Sequence, residues 1–94
     1  MKGIRSNNYA SDSTVCGRAC LFWGFAIETN GTDNGVVTFY DGNPGSRKIK
    51  ITCKGADLSY GVILRKPIEI STLLRFTITG TGATVDVLWE HFHD

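Results

Sequence analysis

The sequence predicts an all-β protein, an antiparallel β-sandwich or jelly-roll-like domain of about seven short strands, on three observations. Apolar and polar residues alternate with period two in several separate segments. Clusters of Gly, Asn and Asp fall between those segments at short intervals, and no stretch of ten or more residues carries an amphipathic helical period. The composition agrees, with 11 glycines against 2 prolines and 41% hydrophobic residues in 94. A chain of this length buries roughly 60 to 70% of the surface it would expose unfolded, enough for one core. A single sandwich over residues 14–94 is therefore expected, preceded by an extended arm over residues 1–13.

The arm is expected because those residues are polar, with Asn7, Asn8, Ser11, Asp12 and Ser13 and no apolar period. Ile4 and Tyr9 are its candidate anchors. Residues 15–29 read as one long strand or two short ones broken near Gly17. Leu21, Trp23, Phe25 and Ile27 form the heavy face, with Gly24 and Ala26 between them. The run Asn30-Gly31-Thr32-Asp33-Asn34-Gly35 supplies the positive backbone angles of a hairpin, and residues 36–40 return as its second strand. A turn at Asp41-Gly42-Asn43-Pro44-Gly45 leads into Lys48-Ile49-Lys50-Ile51-Thr52-Cys53-Lys54, whose alternation marks a half-buried strand and completes a three-stranded meander.

Residues 55–61 read as a loop bounded by glycines. The next segment contains Pro67, which cannot donate a ladder hydrogen bond, so residues 62–70 are expected at a sheet edge or a bend. Leu74, Phe76 and Ile78 then alternate with Arg75, Thr77 and Thr79. After the turn Gly80-Thr81-Gly82, Val85, Val87 and Trp89 mark a last strand running into Glu90-His91-Phe92-His93-Asp94. The aromatic residues of the residue 21–27 strand and of the last strand imply that these two are neighbours in the core.

Ten basic and nine acidic residues give a net charge of +1 and no electrostatic reason to expect nucleic acid or an anionic membrane as partner. No apolar run is long enough to cross a bilayer as a helix, and the N-terminal residues lack the apolar centre of a signal peptide, so synthesis and retention without secretion are expected. Cys16, Cys20 and Cys53 are odd in number and read as reduced thiols, Cys20 and Cys53 buried and Cys16 more exposed.

His91 and His93 would share one face of a strand, with Glu90 or Asp94 nearby, but no further histidine exists to complete a metal site. A thiol–imidazole pair is conceivable, yet the C-x-x-x-C spacing of Cys16 and Cys20 differs from the redox C-x-x-C motif. Asp33, Asn34, Asp41 and Asp57 read as turn residues and not as a calcium loop. Arg47, Lys48, Lys50 and Lys54 read as a solvated strand face that discourages unwanted pairing. With no phosphate loop, triad or nucleotide fingerprint, no catalytic residue, cofactor or metal is expected.

The segments GFAIETNGTDNGVVTFYDG and GVILRKPIEISTLLRFTITGTGATVDVLWE resemble a group of small virion structural proteins of tailed bacteriophages. The resemblance lies in the turn at residues 31–35, the step Tyr40-Asp41, the glycine-to-Pro-Ile segment at residues 61–68, the turn at residues 79–84 and the ending Trp89-Glu90. It spans residues 21–90; the cysteines and the HFHD tail are not part of the pattern. It implies a capsid cement or decoration protein, made in the host cytoplasm and resident in the virion. The implied partners are the major capsid protein or other virion subunits and further copies of the chain as a dimer or trimer, with no nucleic acid and no membrane. A head-to-tail or tail-associated component, and a receptor- or glycan-binding module using Trp23, Tyr40 or Tyr60, are the alternatives. Candidate contact residues are Ile4, Arg5 and Tyr9 in the arm, Pro67 and Ile68 on the edge segment, and His91, Phe92 and His93 in the tail.

Overall fold

A computed structural model describes residues 3–42 and 45–91. Among the described residues there are eight strands, β1 (Arg5–Tyr9), β2 (Ser13–Cys16), β3 (Cys20–Glu28), β4 (Gly35–Asp41), β5 (Ser46–Cys53), β6 (Ser59–Ile70), β7 (Leu74–Thr79) and β8 (Thr84–His91), and one 3₁₀ turn at Gly55–Asp57. They form two four-stranded sheets of order β1-β8-β3-β6 and β2-β7-β4-β5, and every pairing is antiparallel. Eight strands in two sheets with this order make a jelly roll, the more specific of the two architectures expected.

The sheets close on a set of aromatic rings. Phe39 of β4 lies 4.6 Å from Phe22 and 5.3 Å from Phe25, both on β3 in the opposite sheet, and 5.8 Å from Phe76 on its own sheet. Around these rings Ile27, Val37, Ile70, Leu74, Val85 and Val87 are wholly buried. The period-two readings of β5, β7 and β8 are borne out: Val85, Val87, Trp89, Leu74 and Phe76 are buried, and Ile49, Ile51 and Ile78 pack against the core. β3 and β8 are neighbours, as their aromatic residues implied, with Phe22 opposite Trp89.

The heavy face of β3 is corrected. Cys20 and Phe22 face the core, as do Phe25 and Ile27, while Leu21 and Trp23 are only half-buried. The register against both β6 and β8 shifts between Phe22 and Gly24, so one extra residue, Trp23, changes the phase of the strand. Gly24 is required there: it has φ +146°, and a Cβ would lie 2.1 Å from the carbonyl oxygen of Val62. On β6 the same interruption is longer. Phe22 pairs with Ile68 and Gly24 with Ile63, so Leu64, Arg65, Lys66 and Pro67 stand opposite Trp23 alone. Pro67 thus occupies both settings expected of it, an edge strand and a break in the ladder.

The hairpin and meander expected over residues 21–54 are also corrected. β3 and β4 belong to different sheets, and only β4 and β5 form a hairpin. The Asn30 carboxamide oxygen accepts from the N–H groups of Thr32 and Asp33, both at 2.8 Å, which turns the chain across the sandwich and not back along its own sheet. The Asn34 side chain accepts from Gly55 N–H at 2.9 Å, and Thr29 N–H donates to the Leu58 carbonyl at 2.8 Å, tying this crossing to the β5–β6 connection. Asn43 and Pro44 of the next expected turn lie outside the described residues.

The separate arm gives way to two edge strands. β1 pairs with β8 along its whole length, from Arg5 opposite Trp89 to Tyr9 opposite Val85, and β2 pairs with β7. Asn7 accepts from the Trp89 indole N–H at 2.8 Å, Asp12 accepts from Ile78 N–H at 2.7 Å, and the Tyr9 ring meets Phe76 edge-on at 5.1 Å. Burial raises the Tyr9 hydroxyl above its ordinary range. A polar strand can hold an edge because only one of its sides needs backbone partners.

Asp41 joins two connections at one end of the β2-β7-β4-β5 sheet. Its carboxylate accepts from Ser71 N–H, Ser71 Oγ and Thr72 N–H, each at 2.9 Å. Partial burial pushes the carboxyl upward, but these donors outweigh it and hold it below its ordinary value. Two measurements probe the fold. Phe39→Ala should cost about 3 to 5 kcal/mol in urea unfolding because three rings lose a common neighbour. For Asp41 the folded state binds its proton less readily than the unfolded chain, so its contribution is complete above the ordinary carboxylate range and disappears as pH falls through the lowered folded value. Asp41→Asn should therefore lose roughly 1 to 2 kcal/mol at neutral pH, with the gap to wild type narrowing as pH falls below the ordinary carboxylate range.

Candidate functional site

The expected contact residues divide between one end of the β1-β8-β3-β6 sheet and the core. Arg5, Trp89, Phe22 and Ile68 are lateral neighbours across that sheet, and His91, Cys20 and Ile70 form the next row. At the β1 side of this end the Arg5 guanidinium lies 5.5 Å from the Trp89 ring centroid, and the His91 ring meets Trp89 edge-on at 4.8 Å. Arg18 places Nη2 at 3.0 Å and Nε at 3.3 Å from His91 Nδ1, and Cys16 Sγ lies 4.0 Å from the same nitrogen. Since a guanidinium only donates, Nδ1 accepts here. Ile4, next to Arg5, is 56% exposed.

Other members of the expected set have structural settings. Tyr9 lies at the far end of the sheet and packs against the core, as does Ile68. Phe92 and His93 lie outside the described residues, and with them the second ligand of the His91 and His93 metal reading. Glu90 accepts from the Trp23 indole N–H at 3.0 Å, and as the strand neighbour of His91 it points to the opposite face. Among the described residues no three His, Cys, Asp or Glu side chains are grouped to hold a metal ion, and no helix is long and apolar enough to cross a membrane.

All three cysteines are buried thiols, so the greater exposure expected of Cys16 is corrected; its side chain closes the core where β2 ends. The Cys53 thiol is raised by burial, with a smaller contribution from Asp57. The lysines of β5 are exposed on an outer edge of the other sheet, the position at which charge blocks further strand addition.

A second surface was not anticipated. On the outside of the β1-β8-β3-β6 sheet, a groove of about 510 Å³ is lined by Ser6, Ala26, Gly61, Ile63, Asp86 and Leu88, with the backbone of Phe25 and Val62 beneath. Small residues make its floor, while Leu88 and Ile63 make apolar walls. Asp86 at its polar side accepts from the Asn8 carboxamide at 2.8 Å. The groove runs out to β6, and no other described strand pairs with the far side of that strand. Ile63 is 78% exposed, and Leu58 and Tyr60, 59% and 48% exposed, lie at the beginning of the same edge. The trace of this site in the sequence is the coincidence of small residues at 26 and 61 with a segment already assigned to an edge.

Of the three aromatic residues considered for a glycan site, Trp23 is held by Glu90 and Tyr40 lies beneath the Arg75 guanidinium at 4.1 Å, which leaves Tyr60 as the exposed one. Compared with protein-family models, curated proteins and solved structures, the chain finds no match.

Leu58 carries a further mark. Its φ of +66° is the one positive value at a non-glycine among the described residues, with ψ −44° outside the usual left-handed basin. An exposed leucine in such a conformation contributes strain without burial. Leu58→Gly should raise stability by about 1 kcal/mol in urea or thermal unfolding; a loss of stability would show that the leucine side chain anchors the loop.

Proposed function

We propose that this protein is a non-enzymatic virion structural protein, a capsid cement or decoration protein that binds and stabilises a phage head lattice. The observation that carries the proposal is the β6 edge: a twelve-residue strand whose outer side has no partner among the described residues, flanked by exposed Leu58, Tyr60 and Ile63 and backed by an apolar groove. Edge strands with unpaired backbone groups bind neighbouring chains by extending a sheet, and apolar side chains beside them supply the desolvated centre of the contact. The lysine-bearing β5 edge is protected against the same event, whereas the β6 edge carries exposed apolar side chains beside it.

Three further features support this reading. The resemblance of residues 21–90 to small tailed-phage virion proteins supports a phage particle as the setting. The jelly roll is an architecture that viral capsid proteins use, an argument by analogy of fold. Near-neutral charge suits a protein surface as partner better than a nucleic acid or an anionic membrane. The partner is the major capsid protein or another virion subunit, with self-association as a dimer or trimer around a lattice axis. The protein is made in the host cytoplasm and resides in the virion.

Removal of residues 1–13 cannot test this idea, because it deletes the whole of β1 and the first residue of β2. A double variant, Tyr60→Asp with Ile63→Asp, places charge on the edge without touching the core. Its circular dichroism and melting should match wild type, while its copy number on purified particles should fall about tenfold or more. Undiminished decoration would overturn the β6 assignment. A stoichiometry of a few copies confined to the neck or tail would replace cement by a tail component, and selective binding on a glycan array abolished by Tyr60→Ala would replace it by a receptor-binding module.

A further inference from the structure

We propose that Cys16 and Cys20 form a hydroperoxide-oxidisable dithiol, whose product is an intramolecular disulfide joining the two sheets at one end of the sandwich. Cys16 is the last residue of β2 in one sheet, and Cys20 is the first residue of β3 in the other. Only Gly17, Arg18 and Ala19 separate them in the chain, and Gly17 and Arg18 are exposed. Burial, followed by the adjacent Cys16 thiol, pushes the Cys20 thiol up to about 12.

The two sulfurs differ in access, which assigns their order of reaction. A surface cavity of about 320 Å³ is lined by Val15, Cys16, Gly17, Arg18, Trp89 and His91, enough for a small hydroperoxide to reach Cys16. Cys20 is fully buried and does not line it. His91 Nδ1, which accepts from Arg18, lies 4.0 Å from Cys16 Sγ, and the Arg18 guanidinium supplies positive charge at the cavity.

In the first step Cys16 Sγ attacks the terminal oxygen of the hydroperoxide. The O–O bond breaks, an S–O bond forms, and the thiol proton leaves with the departing oxygen as alcohol or water, giving a sulfenic acid. In the second, Cys20 Sγ attacks the Cys16 sulfur. The S–O bond breaks, the S–S bond forms, and hydroxide leaves with the Cys20 proton as water. Across both steps the pair of sulfurs loses two electrons and the peroxide gains them. Cys53 takes no part: it lies on β5 and donates to the Lys54 carbonyl at 3.6 Å.

The folded, reduced protein treated with hydrogen peroxide provides the test, with alkylation before and after denaturation and peptide mass mapping. The expected result is a monomer lighter by two hydrogens, in which Cys16 and Cys20 lose alkylation together and Cys53 keeps it. Cys53→Ser should behave as wild type, and Cys20→Ala should stop at a dimedone-reactive sulfenic acid on Cys16. A wild-type protein that retains three alkylatable thiols, pairs Cys53, or forms only intermolecular disulfides would overturn the proposal. The mapping of the wild-type chain decides the matter even if Cys20→Ala fails to fold.

Discussion

Phe39 stands where two requirements meet, since a sandwich needs its sheets bound face to face and a jelly roll needs consecutive strands to alternate between them. Its ring touches Phe22 and Phe25 from the opposite sheet and Phe76 from its own, so one side chain carries contact in both directions. Tilted rings at these distances gain from their quadrupoles as well as from burial. The bulge at Trp23 is the local condition for this arrangement. Without the extra residue, an unbroken alternation would turn either Phe22 or Phe25 out of the core, and Phe39 would lose one of its partners.

The parts of the fold that were legible in the sequence are those where one side of a strand is buried and the other wet. β7 and β8 read cleanly because Leu74, Phe76, Val85, Val87 and Trp89 alternate without interruption. β3 did not, because Trp23 and Leu21 are as apolar as the residues that face inward, and a bulge leaves no mark in composition. The Asn-Gly run announced a reversal of direction but not its destination, since a turn between sheets uses the same residue types as a hairpin within one. β1 was hidden for another reason: it is held by Arg5 and Asn7, which stay exposed while meeting Trp89, and by Tyr9, which packs on Phe76, and not by an apolar face.

The candidate surfaces were legible to a smaller degree. Pro67 marked an edge because a missing N–H is a local property, and Ile4, Arg5 and His91 gather near one another only through the pairing of the first and last strands. The cluster of Cys16, Arg18 and His91 joins residues from opposite ends of the chain. The groove depends on small residues from β3 and β6 coming side by side, which only register supplies.

The interruption in β6 separates the length of that strand from its alignment. Ile63 and Ile68 keep their partners on β3 whatever the chain does between them, because Leu64, Arg65, Lys66 and Pro67 are opposed by a single residue. Two of the four, Arg65 and Lys66, are exposed. Residues added or removed there should leave the ladder contacts on either side in place. The same property makes the loop a natural place to graft a foreign peptide for display.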